Sequence, residues 1–306
     1  MTIHHAPPAP EAGPTSPAAA LLADELAGQP SLKGDVWRRF RRNKLAVAGL
    51  GVIVLMVFSA VFAPLVTSYN PSELGEASRA KPSSSHWFGT DVLGRDMFTR
   101  IVYGARVSLR IGVVAVLIAA TIGIVIGAVT GFYGRILDGL LMRTTDMFLA
   151  FPYILAAIVV ITVIGRGEKS VILVLGFLGW MPIARLFRAS VIQAKQAEYI
   201  EAARAVGCSD WRVITRHIFP NAIQPVIVYA TIFVGTAVLT EAALSFLGVG
   251  VQEPTPAWGL MVNNGRAYLF TAPHLLFFPA AAIFVTVVAF VLVGDGLRDA
   301  LDPRLK

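Results

Sequence analysis

Long apolar runs dominate this sequence and decide which folds are open to it. The first of them, Leu45–Val66, is an uncharged run of 22 residues, which as a helix is long enough to cross a hydrocarbon core about 30 Å thick. Only 15% of the 306 residues are charged, whereas soluble domains carry about 25%. The sequence therefore predicts an all-α integral membrane protein.

Further apolar segments bring the predicted number of spans to six. The other five are Val107–Phe132, Met147–Gly165, Val171–Phe187, Val226–Phe246 and Leu275–Val293. Seventeen of the 26 Lys and Arg residues precede the first span, lie in alternate loops or follow the last span. By the positive-inside rule these segments are cytoplasmic, so both termini are expected in the cytoplasm. This distribution accounts for the net charge of +7 without a nucleic-acid partner.

The segments around the spans differ in composition. Residues 1–33 are rich in Pro and Ala and predict a disordered cytoplasmic tail. Trp37 and Phe40, in the basic stretch that follows, are expected at the lipid interface. The sequence therefore predicts four units. They are the tail at 1–33, a basic stretch with the first span at 34–66, an external segment at 67–104, and a five-span core at 105–306 that contains one long polar loop at 196–225.

Two patterns in the second span and after it bear on helix packing. Small residues recur at every fourth position of the span, at Ala119, Gly123, Gly127 and Gly131. Such a stripe permits close approach of another helix and predicts a packing face. A group of charged residues then predicts a short polar turn before the third span, at Arg135, Asp138, Arg143 and Asp146.

The loop between the fourth and fifth spans predicts two short helices. Good helix formers occupy Glu198–Val206, and Gly207 suits a left-handed residue that ends the first helix. Ser209 is a suitable N-cap for the second helix. Pro220 and Pro225 are expected to end that helix and to start the fifth span.

The same loop resembles a known signature. Glu201-Ala202-Ala203, then Gly207, then Pro220 have the spacing of the cytoplasmic EAA loop of ABC-type import permeases, Glu-Ala-Ala-x3-Gly-x9-Ile-x-Leu-Pro. His217 and Phe219 depart from the general Ile and Leu, but the string from Arg216 to Asn221 is similar to the peptide-permease branch. The resemblance implies a pair of coupling helices that dock into a cleft of a separate ATPase subunit, through Glu201, Ala202, Ala203, Gly207, Arg212 and Pro220.

Two other readings of this loop are less favoured. An ordinary loop with two surface helices would leave the spacing of the matched residues unexplained. A DNA-binding helix-turn-helix would use the basic Arg204, Arg212 and Arg216. A recognition helix tethered at both ends to membrane spans, however, has poor access to a groove.

The external segment carries a second resemblance. The string from His86 to Asp96, HWFGTDVLGRD, resembles the segment that marks the C-type permease subunit of peptide and nickel importers. Its charged residues are expected to form a self-paired network that caps the outer mouth, namely Asp91, Arg95, Asp96 and Arg100. A catalytic role for the two aspartates has no support, because neither a second carboxylate in an apolar pocket nor metal-ligand spacing accompanies them. The C-terminal string Asp295–Arg304 is also similar to the peptide-permease family.

One ionisable residue lies within a predicted span. Glu241, in the fifth span, would cost about 2.5–3.5 kcal/mol at mid-bilayer on insertion scales, so it should face a cavity or a partner. A translocation-pathway role and a structural hydrogen bond both remain open, with structure favoured.

No motif for bond chemistry is recognisable. Arg166–Ser170 superficially matches a phosphate-binding loop, but Glu168 replaces the required glycine and no strand precedes it. We therefore expect no catalytic residue, metal or cofactor in this chain, with ATP and Mg²⁺ bound by separate ATPase subunits.

The resemblance as a whole implies a type I ABC importer permease with six transmembrane helices in the inner membrane. It implies a homologous B-type permease, two ATPase subunits and an external binding protein as partners, with dipeptides or oligopeptides as the substrate. Import of nickel or another small solute by the same class of permease is the alternative. An ion-coupled secondary transporter is less favoured, because it would need ionisable residues at the midplane and only Glu241 is a candidate.

Overall fold

A computed structural model describes residues 32–75 and 77–302, and this part of the chain is almost entirely helical. We number its α-helices in chain order: α1 Leu32–Arg42, α2 Lys44–Val61, α3 Ala63–Val66, α4 Met97–Tyr133, α5 Arg135–Leu149, α6 Tyr153–Ile164, α7 Glu168–Lys195, α8 Glu198–Ala205, α9 Asp210–Arg212, α10 Phe219–Ala222, α11 Gln224–Phe246, α12 Trp258–Gly265 and α13 His274–Leu301. The all-α membrane fold is thus confirmed. Residues 1–31 of the expected tail lie outside the described residues, and Leu32 begins α1.

Five of these helices, α2, α4, α7, α11 and α13, are each long and apolar enough to cross a bilayer. The third predicted span is the exception. In place of a straight helix over Met147–Gly165, α5 and α6 meet at an angle of 87° and form a sixth span only as a bent pair. Pro152 lies at this break, where a proline has no N–H to continue the helical hydrogen bonds.

The prediction of a short polar turn between the second and third spans is wrong. Its charged residues lie on α5, which is held against α7 by two ion pairs. Arg188 donates to both carboxylate oxygens of Asp138, at 2.5 Å and 2.6 Å, and Arg185 pairs with Asp146. The segment is therefore a helix whose two acids join it to the side of the bundle.

The described chain ends and the loop after α7 lie at the same end of the bundle. Arg39 of α1 donates to the backbone oxygen of Asp302 at 3.1 Å. Lys195, at the end of α7, donates to the backbone oxygen of Phe132 at 2.6 Å. We call this end the coupling end, and the opposite end, formed by residues 67–96 and 247–273, the loop end. Leu186, Gln224 and Arg298 line a common cavity, which brings the last part of α7, the start of α11 and the end of α13 together. An even number of crossings agrees with this arrangement.

One interfacial residue was wrongly predicted. Phe40 is only 4% exposed and packs with Ala46, Val293 and Ala300 between α2 and α13, so it does not face lipid. Trp37 is 54% exposed, as an interfacial residue should be.

The small-residue stripe of α4 packs against α7 of the same chain. A Cβ added at Gly123 would lie 2.8 Å from the backbone oxygen of Trp180, and one at Gly127 would lie 2.6 Å from that of Ala184. Only a hydrogen atom fits at these positions, because real Cβ atoms do not approach so closely. The stripe is therefore a packing face within the chain, which leaves none of it for a partner helix.

Helix α4 is the longest element, with 37 residues and no proline. Asp96 caps its first turn by accepting a hydrogen bond from the backbone N–H of Thr99 at 2.7 Å. The helix runs without interruption from the loop end to the coupling end, where Gly134 ends it.

Candidate functional site: the coupling loop, the loop-end charges and the buried carboxylate

Helix α8 forms the first arm of the coupling loop and is anchored by its apolar face. Ile200 is completely buried and packs with Val213 and Ile218 of the second arm and with Phe187 of α7. Ala203 lies on the same buried face, whereas Glu201 and Ala202 are exposed. The arm therefore presents two residues of its Glu-Ala-Ala motif to the surroundings and uses the third for packing.

Gly207 reverses the chain after α8. Its φ is +78°, a left-handed conformation that glycine adopts without a Cβ clash. The N–H of Cys208 donates to the backbone oxygen of Ala203 at 3.1 Å, and the N–H of Gly207 donates to that of Arg204 at 2.9 Å. These two bonds form a Schellman motif, which satisfies the last carbonyls of the helix.

The second arm differs from the expected single helix. It begins as α9, continues as a π-helix over Val213–Ile218 and ends as α10. Ser209 occupies the N-cap position, although its side chain makes no capping hydrogen bond. The prediction that Pro220 ends this helix is wrong, because Pro220 lies in the first turn of α10. A wider π turn before a proline gives its ring room that an ordinary α turn lacks.

Apolar side chains are exposed on this loop. Val206 is 81% exposed and Trp211 is 75% exposed, on either side of the Gly207 turn. Arg212 and Pro220 are also exposed. These two apolar side chains and the charged residues beside them form the exposed surface of the loop. Sequence reasoning missed Trp211, although a tryptophan in a polar loop was the available signal.

The coupling loop is tied to the end of α4 through one aromatic ring. The Lys195 ammonium and the Arg204 guanidinium lie 5.4 Å and 5.3 Å from the ring centre of Phe132. Both distances are within the range of cation–π attraction. A second contact joins the two arms, where Asn221 lies 3.4 Å from the Tyr199 hydroxyl. Through Arg204 the loop is thus in direct contact with the coupling end of α4.

The loop end carries the charged residues singled out from the sequence, but in two groups. Asp91, Arg95 and Arg100 form the first group. Arg95 Nε donates to Asp91 Oδ2 at 2.6 Å, and Arg100 Nε lies 3.7 Å from the same oxygen. Asp96 belongs to the second group. Its Oδ2, the carboxylate oxygen that does not cap α4, lies 2.9 Å from Nδ1 of His86. The single four-residue network expected from the sequence is therefore wrong in its grouping.

Glu253 completes the first group and was missed by sequence reasoning. Both its oxygens accept hydrogen bonds from Arg95, at 2.8 Å and 3.3 Å. Arg100 donates to it at 3.3 Å, and Asn264 donates to it at 3.0 Å. Partial burial opposes ionisation, yet the hydrogen bond from Arg95 and the charges of both arginines prevail and hold the pKa of Glu253 below its ordinary value.

Glu241 is completely buried and its carboxylate is satisfied within the chain. Ser108 of α4 donates to one oxygen at 3.0 Å, and Ser245, one turn further along α11, donates to the other at 2.7 Å. The Ser245 hydroxyl in turn accepts the N–H of Val251 at 3.0 Å. Of the two roles left open by the sequence, this geometry favours the structural one.

Within the described residues, no group of three or more His, Cys, Asp or Glu side chains is arranged to hold a metal ion. The expectation that the chain has no cofactor stays a prediction.

Two family models match this chain. The model described as "Binding-protein-dependent transport system inner membrane component" matches residues 123–306, and that of the "N-terminal TM domain of oligopeptide transport permease C" matches residues 31–82. The first match includes the coupling loop and the second includes α2.

The similar proteins are also permease proteins of transport systems. The chain is 44% identical to the dipeptide transport system permease protein DppC of Alkalihalophilus pseudofirmus over 273 residues, which are 89% of this chain and 90% of that protein. It is 44% identical to the glutathione transport system permease protein GsiD of Escherichia coli O6:K15:H31 over 274 residues, again 89% and 90% of the two chains.

A solved structure shares the fold. An inward-facing structure of the MetNI methionine ABC transporter matches with a TM-score of 0.53 and 21% identity, over 67% of this chain and 98% of that one. The family matches, the relatives and this fold agree with one another, and the chain therefore belongs to the binding-protein-dependent permeases of ABC importers, with their type I fold.

Proposed function

We propose that this chain is the C-type permease subunit of an ATP-driven importer of dipeptides or oligopeptides in the inner membrane, with both termini in the cytoplasm. It pairs with a homologous B-type permease, two ATPase subunits bind the coupling ends, and an external binding protein delivers the peptide. Relatives named for dipeptide and for glutathione transport support a small peptide as substrate.

The observation that carries this proposal is the form of the coupling loop. Its two arms pack on a shared apolar core around Ile200, turn at Gly207, and leave Glu201 and Trp211 exposed. Such a surface fits a cleft on another protein, where a buried tryptophan is a frequent anchor of binding energy.

The mechanism is alternating access. Binding of ATP closes the two ATPase subunits, and the coupling loop, held to α4 through Phe132, carries that movement to the spans. The chain itself makes and breaks no bonds. Its contribution is a path for the peptide and a mechanical link to the site of hydrolysis.

The test is uptake by the purified complex in proteoliposomes, with the binding protein outside. We expect uptake of a radiolabelled dipeptide that requires ATP, and no ATPase activity from this chain alone. Uptake of Ni²⁺ in place of the dipeptide would assign the alternative substrate. Uptake driven by an ion gradient without ATP would contradict the whole proposal.

A docking variant sharpens this test. Trp211→Ala removes an exposed side chain that supports no described core cluster, so membrane insertion should be unchanged. We expect the ATPase subunits to co-purify with this variant in a smaller amount. Phe270→Ala, at a loop-end residue that is 96% exposed, serves as the control and should leave co-purification unchanged.

A further inference from the structure

Two cavities open along one face of α11 and share part of their walls. The bend cavity, of about 290 Å³, lies beside the break between α5 and α6 and also touches α7. The mouth cavity, of about 520 Å³, lies at the coupling end between α7, α11 and α13. Tyr229 and Ile232 line both. The two cavities therefore adjoin along α11, from the α5–α6 break to the coupling end, and together we call them the groove.

The bend cavity has a neutral wall. It is lined mainly by apolar and aromatic side chains, together with the hydroxyl-bearing residues Tyr153, Thr236 and Thr240, and no Asp, Glu, Lys, Arg or His is among them. A wall of this kind accommodates apolar side chains of many shapes and offers a few hydrogen bonds to a peptide backbone. It provides no counter-charge for an ionised side chain.

The mouth cavity has charged groups of both signs. Asp295 and Arg298 of α13 are exposed and line it, three positions apart and so on one side of the helix. A second acid, Asp302, also lines the cavity and is only partly exposed. No ion pair joins Asp295 or Arg298 to another residue in the described part of the chain. Both residues follow the predicted sixth span, Leu275–Val293, and are exposed, so they lie in the aqueous layer at the coupling end, where a polar molecule can reach them.

This distribution of charge complements one class of molecule. A peptide with free ends carries an ammonium and a carboxylate, which suit Asp295 and Arg298 respectively. Its side chains are mostly apolar or neutral, which suits the bend cavity. At about 520 Å³, the mouth cavity lies within the usual range for sites that bind small molecules.

Resting on the proposed peptide import, we propose that this groove is the part of the translocation path that the chain contributes, and that Asp295 and Arg298 select peptides with two free termini. The neutral bend cavity makes passage tolerant of apolar side chains. Recognition of the charged ends by the permease is thus added to whatever selection the binding protein makes.

The experiment measures binding without the binding protein. The full nucleotide-free complex of both permeases and both ATPase subunits is dialysed against radiolabelled Ala-Phe. We expect saturable binding that unlabelled Ala-Phe displaces and that N-acetyl-Ala-Phe-amide, which lacks both charges, does not. Asp295→Asn and Arg298→Gln should each weaken binding about threefold or more, as expected for exposed charge pairs.

Asp299→Asn is the matched control, because this acid lies on the same helix but contacts Asn43 at 3.4 Å and does not line the groove. It should bind like the wild type. Tyr229→Ala, in the wall shared by the two cavities, should weaken binding of Ala-Phe more than that of Ala-Ala.

The two proposals fail in different ways. Equal displacement by the capped peptide, or wild-type binding by both charge variants, would overturn the groove assignment while ATP-driven dipeptide uptake still stood. Lack of any dipeptide uptake by the wild-type complex would overturn the proposed function itself, and the groove assignment with it.

Discussion

Arg95 and Glu253, which are 158 positions apart in the chain, are joined by two hydrogen bonds of 2.8 Å and 3.3 Å. The pair ties the segment before α4 to the segment before α12. The Arg95 side chain is 5% exposed and that of Glu253 is 39% exposed, so one side of the pair is shielded from water. The two loop-end segments are thereby fixed to each other at the start of α4.

Glu253→Gln should destabilise the protein measurably. The change removes the negative charge that faces Arg95 and Arg100, which are both buried. Leaving buried cations less well compensated costs about 1–3 kcal/mol. The melting temperature of the complex in detergent measures the effect. Glu168→Gln is the control, since its pair with Arg110 is more exposed and should contribute less than about 1 kcal/mol; equal shifts in the two variants would contradict the assignment.

The same pair should make the loop end sensitive to acid. Because the pKa of Glu253 is lowered in the folded state, its stabilisation is complete above the unfolded carboxyl value of about 4.3 and is lost as the pH falls through the lowered value. The difference in melting temperature between wild type and Glu253→Gln should thus be constant near neutral pH and shrink below about pH 4. A difference that grew on acidification would show that the sign is wrong.

Substitutions at Gly207 should separate coupling from insertion. No atom lies within 4 Å of a Cβ added there, so the penalty comes from the left-handed backbone alone. We expect Gly207→Asn to be close to wild type, because Asn tolerates this conformation, and uptake to fall through Gly207→Ala to Gly207→Val. Uptake and ATPase co-purification at matched expression measure this order, and Glu201→Ala should weaken docking with the turn intact. Wild-type uptake by Gly207→Val would remove the coupling role from this turn.

Two glycine-to-alanine changes should have opposite effects. Gly127→Ala places a Cβ 2.6 Å from the backbone oxygen of Ala184 and should destabilise the α4–α7 contact by about 1–3 kcal/mol. At Gly139 of α5 a Cβ would meet nothing within 4 Å, so Gly139→Ala should stabilise its helix by up to about 1 kcal/mol. Thermal unfolding of both variants in the same detergent checks the difference, and a harmless Gly127→Ala would mean that the helices lie further apart.

Labelling of cysteines in intact cells should establish the orientation. Charge bias predicts that Ser84 is outside and that Cys208 is in the cytoplasm. A membrane-impermeant thiol reagent should therefore modify Ser84→Cys in a Cys208→Ser background and spare Cys208 in the wild type. Because Cys208 is only half-buried, it should react once the membrane is opened. Strong labelling of native Cys208 from outside would reverse the topology.

Features with a local signal were predictable from the sequence. Long apolar runs give the spans, since hydrophobic length alone is needed to cross a bilayer. Gly207 and Ser209 mark the turn of the coupling loop through backbone preferences that act within a few residues. The stripe at Gly123 and Gly127 predicted a close helix contact, although spacing alone does not identify the partner helix.

Features that depend on distant partners were not predictable. Glu253 lies in a loop with no periodic pattern, and only the fold brings it to Arg95. The acids of α5 pair with Arg188 and Arg185 of α7, and these partners could not be identified from the charges of α5 alone. The π turn before Pro220 likewise arises from the need to continue a helix past a residue that normally ends one.

Helix α4 is one uninterrupted rod, and its 37 residues span roughly 55 Å. One end is capped by Asp96 and lies beside the hydrogen-bonded pair of Arg95 and Glu253. At the other end, the ring of Phe132 makes cation–π contacts with Lys195 and Arg204. Because α4 has no proline or break, its two ends are expected to move together. Under the proposed function, a displacement of the coupling loop by a few ångströms would therefore reach the loop end of α4 as a tilt, without relay through intermediate side chains. The loop end would then move in the same step in which the ATPase subunits close.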